Sequence, residues 1–203
     1  MRPMKTTTRV TLAAAALVLG LAYAAPLWHI GLDAPQYPEG IGMYVWIDTI
    51  TGQKPNDLNS INGLNHYIGM KAIVPESIPE LQLMPGIVAV LIVAGLIVAK
   101  TGRRKWLYAW TAFFGIVALT GLADFWYWGY DYGHDLDPTA AIKIPGFSYQ
   151  PPVLGSKQLL NFTAHSWPAL GGWAIVASFV TVAAVCAIEL QRGRNTKGLR
   201  KAA

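Results

Sequence analysis

Residues 106–128 read WLYAWTAFFGIVALTGLADFWYW, and this stretch decides the class of the fold. At about 1.5 Å per residue, a helix of this length crosses the roughly 30 Å hydrocarbon core of a bilayer. Its only charged side chain is that of Asp124. Tryptophan and tyrosine, which favour the boundary between lipid and water, are concentrated at its two ends. The stretch therefore predicts a transmembrane helix.

Three further segments have the same character: residues 11–28, residues 86–99 with their flanks, and residues 168–190. The chain is 53% hydrophobic and 13% charged, which indicates an integral membrane protein. The first segment also resembles a secretory signal with a small-residue cleavage site at Ala22-Tyr23-Ala24. Its long apolar run favours an uncleaved helix, and cleavage would leave three spans.

The basic residues orient the predicted bundle. Most of them fall at the N-terminus, in the turn at residues 100–105 or in the C-terminal tail, so the positive-inside rule makes these ends cytoplasmic. The connections at residues 29–83 and 129–167 hold only Lys54, Lys71, Lys143 and Lys157. We therefore predict a membrane protein with cytoplasmic termini and two large loops on the outer side. The net positive charge of the chain is then explained by its membrane topology and by contact with anionic lipid. Nucleic acid is therefore not an expected partner.

The predicted fold class is an all-α integral membrane protein with four transmembrane helices and two ordered extracytoplasmic loops. The first loop contains a short strand at residues 43–50 and a short helix at residues 55–70, with Gly69 as its stop. Prolines and glycines predict an irregular path for residues 29–38. The predicted divisions are 1–28 (N-terminus and first span), 29–83 (first loop), 84–128 (second and third spans), 129–167 (second loop) and 168–203 (fourth span and basic tail).

Histidine and methionine point to a metal on the outer side. Cys186 is the single cysteine, which excludes an intrachain disulfide and a thiolate site within one chain. All four histidines fall on the predicted outer side. Imidazole together with thioether suits copper better than zinc.

His66 and Met70 are the first pair of candidate ligands, since a helix continuing through Gly69 would place them one turn apart. The alternative is that His66 donates hydrogen bonds within the loop and Met70 packs on the bilayer surface.

A second group, Asp131, His134 and Asp135, follows the third span. Its spacing lacks the regular acidic positions of a calcium loop. It either completes the metal site or solvates an outer surface. The full predicted set of metal ligands is His66, Met70, Met43, His134, Asp131 and His165.

Other chemistry has weaker signals. Asp124 lies within a membrane span, where an ionisable group is a functional candidate or an interfacial carboxylate bonded to loop amides. His29 and His165 each sit at the mouth of a span, and two facing helix histidines could hold a haem. No nucleotide-binding, zinc-protease or Ser-His-Asp motif stands out. The sequence thus assigns no catalytic residue, and an enzyme is the least favoured interpretation.

Four phrases carry a family resemblance: APQYPEG at residues 34–40, INGLNHYIGM at 61–70, IPEL at 78–81 and YQPP at 149–152. They resemble a family of small bacterial polytopic membrane proteins that accompanies copper-chaperone and nitrous-oxide-reductase maturation systems. The resemblance covers most of residues 28–172 and implies a copper-linked role. It also implies a bacterial inner-membrane location, with cytoplasmic termini and large periplasmic loops. The matching positions are Asn62, Asn65, His66 and Met70, with a similar run around Asp131 and His134.

The sequence thus predicts a membrane-anchored accessory protein that binds or delivers copper on the extracytoplasmic side. Its expected partners are the lipid bilayer and a larger membrane or periplasmic copper protein complex. The main alternative is a non-catalytic structural subunit of a larger membrane oxidoreductase or copper monooxygenase. The isolated predicted strand and the exposed-looking aromatic residues favour that alternative, because both suit a partner surface.

Overall fold

The computed structural model describes the backbone of residues 4–202 and the side chains of residues 4–193. Its helices are α1 (Thr6–Val18), α2 (Asp57–Ile68), α3 (Pro79–Thr101), α4 (Arg104–His134) and α5 (Leu170–Ala202). Its strands are β1 (Trp28–Ala34), β2 (Tyr37–Val45), β3 (Ile50–Gly52), β4 (Gly155–Leu159) and β5 (Phe162–Pro168). Short 3₁₀ turns occupy Leu19–Tyr23 and Pro75–Ser77.

Four segments are long and apolar enough to span a membrane: Thr6–Tyr23, Pro79–Thr101, Arg104–His134 and Leu170–Gly193. They coincide with the four predicted spans, and this supports the membrane class. Their outward side chains are apolar; Ile116 and Leu119 on α4, for example, are 63% and 70% exposed. Such surfaces are stable in lipid rather than in water.

The predicted all-α class is wrong, because the two loops form one five-stranded antiparallel sheet of order β3-β2-β1-β5-β4. β1 comes from the first loop and pairs with β5 from the second, with Gly31 opposite His165. This pairing joins segments more than a hundred residues apart in sequence, so it could not be predicted from a local sequence pattern. Residues 29–38, predicted to be irregular, lie largely in β1 and the start of β2.

The predicted strand at residues 43–50 is divided between β2 and β3, which pair with each other through a short reversal after Val45. The predicted short helix is present as α2, and Gly69 ends it in the left-handed conformation with φ of 81°. Glycine is favoured there because it adopts positive φ without steric cost.

The sheet has one packed face and one open face. Side chains alternate between the two faces along each strand. On the packed face Ile30, Ile41 and Ala164 are buried, and the Trp28 ring lies 5.1 Å from the ring of Phe125 on α4. Strand register assigns the following residues to the open face: His29, Gly31, Asp33, Gly42, Tyr44, Ser156, His165 and Trp167.

The helices pack around small residues. The Trp110 ring of α4 fills the space beside Gly95 of α3, where any side chain would overlap it, and the Trp110 Nε1–H donates to the Leu91 carbonyl at 3.1 Å. On α5, the Ser178 hydroxyl donates to the Ala15 carbonyl of α1 at 2.8 Å. Small residues and interhelical hydrogen bonds are the usual means of close helix packing in a bilayer.

The sheet is fastened directly to this bundle. Gly171 at the start of α5 donates its N–H to the Pro26 carbonyl at 2.9 Å, and Ala169 donates to the Leu27 carbonyl at 3.0 Å. The Leu27 carbonyl also lies so close to Gly172 that a Cβ there would overlap it. The extramembrane strands therefore have a fixed position relative to α1 and α5.

Candidate functional site

The end of α2 meets the second loop at a surface that we call the loop junction, comprising residues 65–71 and 131–142. The Asp137 N–H donates to the Gly69 carbonyl at 2.8 Å, and the Ile142 N–H donates to the Tyr67 carbonyl at 2.9 Å. A Cβ on Gly69 would lie 3.0 Å from the Cβ of Ala140. The second loop thus closes over the helix terminus.

Lys71 is at the centre of this junction. Its Nζ lies 2.9 Å from Asp131 Oδ2 and 2.8 Å from Asp135 Oδ2. Hydrogen bonds from the ammonium to Asp135 and then to Asp131 raise the pKa of Lys71 well above its ordinary value. The three side chains remain 45%, 33% and 69% exposed, so each pair contributes little to stability on its own.

The junction brings together most of the predicted metal residues without assembling them. His66 is exposed on the last turn of α2. His134 is exposed at the end of α4, where its Nδ1–H donates to the Tyr130 carbonyl at 2.9 Å and its ring stacks on Tyr130. Because α2 ends at Ile68, Met70 follows the helix rather than lying one turn above His66; its N–H donates to the Asn65 carbonyl at 2.8 Å.

Asp137 links His66 to the second loop electrostatically. Hydrogen bonds from the side chain and backbone of Thr139 lower the pKa of Asp137, and the charges of Lys143 and His66 act in the same direction. The junction thus has the imidazole of His66 on the first-loop side, and the carboxylates of Asp131, Asp135 and Asp137 with the imidazole of His134 on the second-loop side.

The other two predicted ligands lie elsewhere. Met43 pairs with Ile30 and belongs to the packed face of the sheet, whereas His165 pairs with Gly31 on the open face. Asp131 is bound to Lys71. Within the part of the chain that the structure describes, no three histidine, cysteine or carboxylate side chains are grouped so as to hold a metal ion.

The open face has a hydrogen-bonded row of side chains that no sequence motif predicts. The Ser156 Oγ lies 2.6 Å from His165 Nδ1, and His165 Nε2 lies 3.1 Å from Asp33 Oδ2. His29 on the same face lies 3.0 Å from Gln53 Oε1 through its Nε2. Both histidines sit in strands, so they do not form the pair of facing helix histidines that the haem alternative requires.

Asp124 lines a cavity of about 240 Å³ between the start of α3 and the outer part of α4. Its other lining residues are Pro79, Glu80, Tyr127, Trp128 and Asp131. Among the residues that the structure describes, Glu80 Oε2 is buried without a hydrogen-bond partner, and the Glu80 charge acts on Asp124. Asp124 thus faces a mostly apolar cavity that also holds the carboxylates of Glu80 and Asp131.

No family model matches the chain, and no curated protein matches it.

Proposed function

We propose that this protein is a membrane-anchored accessory protein that binds or passes copper at the loop junction. The hydrogen bond from the Asp137 N–H to the Gly69 carbonyl at 2.8 Å carries the proposal. It holds the loop that follows His134 against the end of α2, which carries His66 and precedes Met70. Ligands from two loops held on a membrane anchor suit an ion carrier, because the ion stays accessible to a partner.

The chemistry of the donors favours copper. Imidazole accepts either oxidation state of copper, and thioether selects Cu(I). Lys71 occupies one carboxylate oxygen of Asp131 and one of Asp135, so these carboxylates are poor ligands while that pairing lasts. We therefore narrow the ligand set to His66, Met70 and His134.

The proposed location is the bacterial inner membrane, with both termini in the cytoplasm and the loop junction in the periplasm. The positive-inside rule supports this orientation, since the basic residues gather at the end of the bundle opposite the sheet. The segments at residues 61–70 and 149–152 resemble the copper-linked family described above. On that basis, the proposal includes copper delivery to a maturation system such as that of nitrous-oxide reductase.

Metal analysis of the detergent-purified protein tests the ligand set. Protein loaded with Cu(I) and washed should retain copper, and His66→Ala, Met70→Ala and His134→Ala should each retain less. His29→Ala is the matched control, because its imidazole lies on the open face of the sheet. Equal copper in all five proteins would refute the assignment, provided that circular dichroism reports intact folding.

A second candidate is the structural subunit of a larger membrane complex. The pairing of β2 with β1 and β3 removes the isolated strand that favoured it. Exposed apolar side chains outside the spans still favour it: Tyr67, Val74, Ile142, Ile144, Leu154, Leu160 and Trp167. Mild detergent extraction discriminates between the two. Stoichiometric co-purification with a larger complex, and no retained copper, would support the structural role.

A further inference from the structure

We propose that Ser156, His165 and Asp33 form an acyl-transfer site for carboxylic esters at the bilayer surface. The three residues lie on adjacent strands β4, β5 and β1, on the open face of the sheet. The site lies away from the loop junction and is independent of the copper proposal. Its nucleophile, base and orienting carboxylate are in mutual hydrogen-bond reach, which is the arrangement that activates a serine.

For the neutral imidazole of His165, the hydrogen bonds define the tautomer that such a site needs. A carboxylate only accepts, so at 3.1 Å Asp33 Oδ2 takes the Nε2–H of the imidazole. The neutral ring then has its lone pair on Nδ1. At 2.6 Å that lone pair accepts the hydroxyl hydrogen of Ser156. Asp33 thus fixes the tautomer in which His165 acts as a general base towards Ser156.

Strand register holds the row in place. Ser156 is directly opposite His165, and His165 is directly opposite Gly31. Asp33 lies two residues beyond Gly31 on the same face. A shift of one residue in either pairing would send one member of the row to the packed face.

Access and surroundings indicate the substrate class. Ser156 is exposed, and the side chain of His165 is 35% exposed. Trp167 is 47% exposed on the same face, about 7 Å along β5 towards the start of α5. Trp167 lies three residues before α5, a candidate span, and tryptophan favours the boundary between lipid and water. An amphiphilic ester would place its acyl chain beside Trp167 and its carbonyl at Ser156.

The reaction needs only the ester and water. Ser156 Oγ bonds to the carbonyl carbon while its proton moves to His165 Nδ1. The tetrahedral species collapses, the bond to the alcohol oxygen breaks, and the leaving oxygen takes the proton from Nδ1. Water then attacks the acyl-serine by the same route and releases the carboxylic acid. Along β4, an edge strand, alternate backbone N–H groups face away from β5, where one can donate to the oxyanion.

Covalent labelling tests the site directly. Protein in detergent is treated with a fluorophosphonate, and the adduct is located by peptide mass spectrometry. We expect one adduct at Ser156 in the native protein, none in Ser156→Ala, and at least 100-fold slower labelling in His165→Ala. Gln158→Ala is the matched control, since Gln158 lies on the same strand and face as Ser156. It should be labelled at the native rate.

Ester turnover provides the second measurement. Asp33 is 72% exposed, so Asp33→Asn should slow p-nitrophenyl ester hydrolysis only about tenfold, against the ~10⁴-fold of a buried triad aspartate. Trp167→Ala should slow hydrolysis of the octanoate more than that of the acetate. An unlabelled native protein, or labelling that persists in Ser156→Ala, would overturn the catalytic site. Equal effects of Trp167→Ala on both esters would overturn the amphiphilic substrate class.

Discussion

Replacing Glu189 by alanine should remove a buried ion-pair network at the end of the helix bundle opposite the sheet. The Glu189 side chain is 1% exposed. Its Oε2 accepts from Arg104 Nε at 2.7 Å, and its Oε1 accepts from Arg192 Nη1 at 2.7 Å. The Thr8 hydroxyl donates to Oε1 at 3.4 Å, so the network joins α1, α4 and α5. About nineteen residues into α5, Glu189 lies roughly 29 Å from the start of that helix, at the far interface.

The magnitude follows from the two charged hydrogen bonds. Each is worth about 1.5–3 kcal/mol, which sets an upper range of about 3–6 kcal/mol. The Arg104 and Arg192 side chains are 19% and 41% exposed, so both guanidinium groups regain water or lipid headgroups after the mutation. That recovery reduces the expected loss in free energy of unfolding to about 2–3 kcal/mol. Glu189→Gln keeps an acceptor without the charge, and we expect about half of this loss.

Titration with sodium dodecyl sulfate in mixed micelles, followed by tryptophan fluorescence and circular dichroism, measures the unfolding free energy. Glu76→Ala is the control, since that carboxylate is exposed and outside the spans. A loss below about 0.5 kcal/mol for Glu189→Ala would contradict the reasoning, because surface substitutions give changes of that size.

Four smaller predictions use the same assay. Gly95→Leu should cost about 1–3 kcal/mol, because the new side chain overlaps Trp110; native stability would contradict the packing. Gly69→Ala should cost about 1–2 kcal/mol at a φ of 81°, and unchanged stability would refute the requirement for glycine. Lys71→Met should cost below about 1 kcal/mol. Folding raises the pKa of Lys71, so the ion pairs of Lys71 stabilise the protein fully below pH 10.5 and progressively less above it. The stability difference between the native protein and Lys71→Met should therefore shrink only above pH 10.5. Tyr149→Phe should be neutral or stabilising by about 1 kcal/mol, because the buried Tyr149 hydroxyl has no hydrogen-bond partner among the side chains and backbone that the structure describes; a clear loss would reveal a partner.

Local sequence signals predicted the elements that depend on neighbouring residues. The four apolar helices were predictable because hydropathy and length suffice for a span. The short helix α2 and its stop at Gly69 were predictable because glycine tolerates positive φ. The strand at residues 43–50 was only partly correct. Its pairing partners lie at residues 28–34 and 50–52, which local propensity does not reveal.

The candidate sites show the same division. The INGLNHYIGM segment lies at the loop junction with His66 and Met70, and its role in metal binding stays a prediction. Helix spacing suggested that these two side chains share a face, but α2 ends between them. Asp33, Ser156 and His165 have no common motif, and only β-strand pairing brings them into one row.

By itself, then, the sequence determined the membrane class, the four spans and the helix stop at Gly69. Each of these depends on hydrophobicity or backbone freedom over one stretch of chain. Only the tertiary structure decided that both loops share a sheet and which side chains face one another across it. The reason is that register is set by contacts between β1 and β5, and a shift of one residue would exchange the open and packed faces.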